Sequence, residues 1–204
     1  MYKQIEFTIK SVSPLIQHNA RLANPLDPIS KALKKVSSKR SKTDEDHALL
    51  ARLEWLGGLY TTEPGTFEPM GEDLKVQGFG RVCIPGENIE SMLVMSGKKQ
   101  KLGQQCKAGI ISDGLWLLEY DGPQDVPGLL ADGRFMDIQS ARVQNAKVMR
   151  SRPIFYSWQL TFVINYLPEL LDEAQVVEVL TRAGRIIGLC DQRPKYGRFE
   201  VVYS

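Results

Sequence analysis

The sequence predicts an α+β fold built on an antiparallel sheet, and three observations carry that expectation. Ile5, Phe7 and Ile9 alternate with Glu6, Thr8 and Lys10, the period of a half-buried strand over residues 3–12. Phe155, Trp158, Leu160, Phe162 and Ile164 dominate the strongest strand, over 154–166. Two stretches have helical period: Ile89, Met92, Leu93 and Ser96, then Val176, Val177, Leu180, Ile186 and Ile187. The order, insertions removed, is strand, helix, strand, strand, helix, strand. That is the ferredoxin-like or RNA-recognition-motif-like topology, a four-stranded antiparallel sheet with both helices on one face. Its strands are expected near 3–12, 108–120, 154–166 and 198–203. The chain reads as a single domain with its core at about 1–12, 85–121 and 153–204. Two large insertions occupy about 13–84 and 122–152.

Each element has a local reason. After the first strand, Asn24-Pro25 and Asp27-Pro28 punctuate turns before a short basic helix, and residues 37–43 read as a polar, mobile link. Thr43 is an N-cap, with Asp44 and Glu45 beside the helix dipole. Leu49, Leu50, Leu53 and Leu56 form its apolar stripe, and Gly57-Gly58 end it. Residues 63–80, rich in Gly, Pro and acids, read as loop, as do 122–133. Residues 81–84 form a short strand leading to the helix start at Pro85-Gly86-Glu87-Asn88. Met92 and Met95 are expected in the core. Residues 108–111 and 115–120 read as strand pieces, and weak alternation over 138–149 fits a projecting hairpin. A helix over 170–187 stops at Gly188. A loop bearing Arg193, Lys195 and Arg198 then precedes the last strand.

Composition narrows the function classes. A chain of 204 residues can bury one substantial core. No apolar run approaches the roughly 18 residues of a membrane span, so no membrane partner is expected. Cys83, Cys106 and Cys190 are odd in number and lack CxxC spacing, which points to a reducing cytoplasm and away from zinc or a disulfide framework. His18 and His47 are the only histidines, so no metal site and no cofactor is expected. Walker, GxGxxG and HExxH motifs are absent. Gly78-Phe79-Gly80 resembles an RNA-recognition-motif signature, but its flanking residues do not fit.

Net charge is only +2, yet the cations are segregated. They cluster at residues 31–42; at Lys98, Lys99, Lys101 and Lys107; at Arg134, Arg142, Lys147, Arg150 and Arg152; and at Arg182, Arg185, Arg193, Lys195 and Arg198. Acids collect between Asp44 and Asp73. Such a chain can present a basic face to phosphates, and an acidic back to another copy of itself. The start of the first helix, Gly86-Glu87-Asn88, offers unpaired amides to a phosphate, with Lys98 and Lys99 extending that surface.

Ser13-Pro14-Leu15 after the first strand, Ile84-Pro85-Gly86 opening the first helix, Ile187-Gly188-Leu189 and Gly197-Arg198 occur together. In this the chain resembles the RAMP superfamily of repeat-associated proteins, in particular the backbone subunits of CRISPR effector complexes. It departs from the family pattern at Gln17-His18-Asn19 and at Glu87-Asn88. The resemblance implies a palm that binds single-stranded RNA or DNA, RNA first, with copies packing head to tail along the strand beside other effector-complex subunits. The nucleic-acid contacts expected are His18, Asn19, Gly86, Asn88, Lys98, Lys99, Arg142, Arg150, Arg152, Arg193, Lys195 and Arg198. Two other classes stay open. One is a target-RNA endoribonuclease, since some such subunits cleave with an aspartate after the first strand, where Asp27 stands; His18 is an alternative general base. The plainer role of Asp27 is a turn former before proline, and catalysis is not expected. The other class is a protein–protein adaptor or inhibitor that reuses the fold.

Overall fold

A computed structural model describes the backbone of residues 1–143 and 146–202, and their side chains outside 141–147. The chain forms two compact units. The first comprises Met1–Ile16, Cys83–Asp121 and Phe155–Ser204; the second comprises Gln17–Val82 and Gly122–Ile154.

The first unit is an α+β body on an antiparallel sheet. The strands lie in the order Phe199–Val202, Lys3–Ser11, Trp158–Tyr166, Leu115–Tyr120, Cys83–Pro85, and Ile110–Ile111 also pairs with Trp158–Tyr166. Phe7 lies opposite Phe162 and Ile9 opposite Leu160, so both alternating patterns send their apolar side chains to one face. These four are buried, as are Ile89, Met92 and Leu93 of the helix Gly86–Lys98 and Val176, Val179 and Leu180 of the helix Glu173–Arg182. The two helices touch: buried Ser96 donates its hydroxyl to the Val179 carbonyl at 2.7 Å. Met95, expected in the core, is exposed, because it lies off the stripe that Ile89, Met92 and Leu93 define.

Three boundaries differ from expectation. Residues Gly103–Gly109 are helical, leaving only Ile110–Ile111 and Leu115–Tyr120 extended. The burial of Cys106 against Gly97 outweighs strand propensity there. The predicted strand over 154–166 is two strands, Ala146–Phe155 and Trp158–Tyr166. The last helix begins later than predicted, at Glu173, where Asp172 and Gln175 form a capping box. It ends in a wider turn, Ala183–Ile187, which shifts the helical phase and turns Ile186 out to solvent.

In the second unit, the helices Pro28–Ser37 and Asp44–Gly58 pack together. Thr43 caps the second in a box with Asp46, as its sequence requires. Leu49, Leu53, Trp55 and Leu56 are buried, and the Trp55 indole donates to the Phe135 carbonyl at 2.8 Å. Leu50, expected on the same stripe, is half-buried, and the helix ends at Gly58, as expected. Residues 63–80, expected as loop, contain the hairpin Thr66–Met70 with Asp73–Gln77. Only Leu74 and Val76 point inward on its second strand, too short an alternation to read among acids and glycines. Residues 122–133 likewise contain a helix, Val126–Ala131, capped by Asp125 with proline in its first turn, where proline is tolerated. The hairpin expected over 138–149 is present and longer, pairing Met136–Val143 with Ala146–Phe155.

Candidate functional site

The site begins where the last helix stops, at Gly188 with φ +85°. The loop over 188–198 closes on itself: Leu189 donates its amide to the Gly197 carbonyl at 2.9 Å and Tyr196 donates to the Gln192 carbonyl at 3.3 Å. It is then tied to the turn after the first strand. Gly197 donates to the Pro14 carbonyl at 2.7 Å, Arg198 to the Ser13 hydroxyl at 2.9 Å, and Asp191 to the Ile16 carbonyl at 3.0 Å. Val12 donates back to the Arg198 carbonyl at 2.8 Å. Gly197 has φ +74°, and a Cβ there would run into the Leu189 carbonyl, so only glycine serves. Leu189, Tyr196 and Phe199 anchor the loop from below, all buried.

The three loop cations stand on this pinned backbone. Arg193 is half-buried, while Lys195 and Arg198 are exposed. The Lys195 ammonium lies 5.0 Å from the centre of the Tyr196 ring, a cation–π distance, and Arg198 Nε donates to the Pro194 carbonyl at 2.8 Å. Asn88 carries the loop to the start of the Gly86–Lys98 helix, its amide 3.8 Å from Cys190 Sγ. Burial pushes the Cys190 thiol up to about 12, against the opposite pull of Arg193.

The helix start has no side-chain cap. Its first amide, Gly86, donates to the Gly114 carbonyl at 2.8 Å, and a Cβ at Gly86 would run into the Ser112 carbonyl. Gly86 is buried and its amide is taken, so it sets how closely the helix meets the 112–114 turn and does not offer an unpaired amide to a phosphate as expected. The exposed carboxylate of Glu87 sits in the first turn, where it competes with any incoming anion for the helix dipole.

The structure thus brings together Gly86, Asn88, Arg193, Lys195 and Arg198. Lys98 and Lys99 do not join them. They sit at the other end of the same helix, about 18 Å away at roughly 1.5 Å per residue, which corrects the expectation that they extend the helix-start surface. His18, Asn19, Arg150 and Arg152 belong to the second unit. There His18 is exposed, and its carbonyl accepts from the Tyr60 hydroxyl at 3.2 Å. Asn19 accepts from the Arg21 amide at 2.9 Å and donates to the Leu59 carbonyl at 2.9 Å, capping a short helical turn. Arg150 is bonded to Glu54, whose other oxygen accepts from the Ser151 amide at 3.0 Å. Half-buried Arg152 lies opposite Asp137 in the hairpin register. The side chain of Arg142 lies outside the described residues. Asp27 caps the helix Pro28–Ser37 through the Ile29 amide at 2.8 Å and is paired with Arg21 at 3.0 Å.

Ser13, Pro14 and Ile16 hold the loop in place, yet none appears among the expected contacts. The Ser13-Pro14-Leu15 motif was their only signal, and a motif does not say that its backbone serves a loop some 180 residues away. Among the described residues, no group of three or more His, Cys, Asp or Glu side chains is placed to hold a metal ion. No described helix is long and apolar enough to cross a membrane. Comparison with models of known protein families finds no match, and comparison with curated proteins finds no relative.

Proposed function

We propose that this chain is a non-catalytic subunit that binds single-stranded nucleic acid, RNA first, and packs head to tail along it. The carrying observation is the pinned loop: Arg193, Lys195 and Arg198 stand on a backbone bonded to Ser13, Pro14 and Ile16, beside an uncapped helix start. Cations already held in place lose little freedom on meeting a phosphate backbone, so the binding free energy is not spent on ordering them. The first unit is read as the ferredoxin-like palm of this class. The order of its last, first, third and second long strands, and the contact between its two helices, support that reading. The ribonuclease alternative draws no support from Asp27, whose carboxylate is occupied by the helix start and Arg21.

The test is fluorescence anisotropy of a labelled single-stranded RNA over a salt series. A subunit holding about four phosphates should give a log–log slope near −3, at about 0.7 per neutralised phosphate. Arg193→Ala with Lys195→Ala should flatten that slope by about 1.4 and weaken unrelated sequences alike. Lys98→Ala with Lys99→Ala should change it less. A double loop variant that keeps the wild-type slope and affinity would overturn the proposal and favour a protein-interaction module.

A further inference from the structure

The second unit carries two surfaces of opposite character. One is an apolar groove of about 780 Å³ between the helices Pro28–Ser37 and Asp44–Gly58 and the long hairpin. Leu33, Leu50 and Ala51 line it from the helices, Ile138 and Met149 from the hairpin. Ile138 is 50 % and Met149 61 % exposed, unusual for side chains facing other apolar groups. Lys42 and His47 are also part of its lining. The helix bearing Leu33 also bears exposed Lys31, Lys34 and Lys35. Arg150 in the wall is already neutralised by Glu54.

The other surface is the tip of the short hairpin, Thr66–Met70 with Asp73–Gln77. Its root is held by buried Leu74 and Val76. At the tip, Met70 is 58 % exposed and flanked by exposed Glu68, Glu72 and Asp73. Asp73 reaches back to Arg52 at 3.1 Å and Glu68 lies opposite Lys75 in the hairpin register, which leaves Glu72 to meet a partner. An unbranched, polarizable methionine suits an irregular apolar groove, and Glu72 beside it complements Lys42 in the groove lining and the exposed lysines on the helix that carries Leu33.

We propose that the Met70 tip of one copy docks in the groove between Leu33, Leu50 and Met149 of the next copy. The proposal rests on the head-to-tail reading above and names the surfaces that would meet. Tip and groove are different patches, so the contact is heterologous and propagates into an open chain rather than closing as a two-fold dimer.

Sedimentation velocity of the full chain, freed of nucleic acid, tests this. Wild-type protein should form a ladder of species that lengthens with concentration. Met70→Lys with Glu72→Lys breaks only the tip, and Ile138→Asp with Met149→Asp breaks only the groove. All four positions are exposed, and circular dichroism checks that each variant is folded. Each variant alone should run at the 23.0 kDa monomer mass. Mixed, they should form dimers and nothing larger, since together they hold one intact tip and one intact groove. Wild type that stays monomeric throughout, variants that assemble like wild type, or a mixture that stays monomeric would each overturn the docking proposal. RNA affinity, measured on a strand short enough for one copy, reports on the loop independently. If it falls on replacing Arg193 and Lys195 while the tip variants assemble normally, the binding reading stands and only this docking fails.

Discussion

Residues 31–42 and residues 188–198 are both basic, and the structure treats them differently. The first run holds six cations and no acid, yet the backbone hydrogen bonds described for it join only near neighbours in the chain. Lys31, Lys34 and Lys35 ride a helix capped by Asp27, Lys39 is bonded to Asp46 at 2.6 Å, and Lys42 donates to the Lys39 carbonyl at 2.9 Å. The second run has fewer cations but fastens its backbone to a distant strand end before presenting them. On the proposed reading the fixed loop is the better binding surface, because every side chain and loop ordered on binding subtracts from affinity.

The strongest way to break this contrast is to loosen the pinned loop. Gly197→Ala puts a Cβ against the Leu189 carbonyl at a φ that suits glycine. It should lower stability by about 1–3 kcal/mol in chemical denaturation and remove most RNA affinity. It should also expose further the half-buried Cys190, whose desolvation keeps the thiol protonated. Alkylation of Cys190 by iodoacetamide at pH 8 should be slow in wild type and fast in the variant. A variant with wild-type alkylation and RNA affinity would show that the loop's fixed shape does not matter.

Replacing Lys31, Lys34 and Lys35 together with alanine sharpens the contrast from the other side. RNA affinity should change less than for the double loop variant, although three charges are lost instead of two. A loss as large as at the loop would mean that charge density is sufficient after all.

Asp27→Ala should cost about 1 kcal/mol of thermal stability through the lost cap. RNA affinity should be unchanged, and any cleavage seen in gel assays should persist in the variant. Cleavage abolished by this substitution would instead restore the ribonuclease reading.

The smallest effect concerns pH. The hydrogen bond from Lys39, helped by the Thr43 amide, holds the Asp46 carboxyl below its ordinary value. A depressed carboxylate stabilises the fold above the unfolded-state value of about 3.9, and that contribution is lost as pH falls through the lower folded value. Wild type should therefore lose stability in acid more steeply than Asp46→Asn, with the difference gone below the folded value. Parallel acid curves would place the Lys39–Asp46 contact outside the stability of this segment.

Much of the local structure was legible in the residues. The alternation at Ile5, Phe7 and Ile9, the Thr43 cap and the stop at Gly188 involve neighbours in the chain, and their physics is complete within a few residues. The hairpin at 66–77 and the helix Val126–Ala131 were not legible. Their apolar residues are too few to show a period, and burial against other elements is what stabilises them. The site divides in the same way. Sequence by itself determined the α+β character, the antiparallel strands and which loop carries Arg193, Lys195 and Arg198. Only the tertiary structure decided that Ser13 and Pro14 grip that loop, that Lys98 and Lys99 sit a helix length from Asn88, and that Asn19 and Asp27 serve as caps. The physical reason is range: propensity and capping act over a few residues, whereas a hydrogen bond between residues 13 and 198 exists only once the sheet has brought the two chain ends side by side.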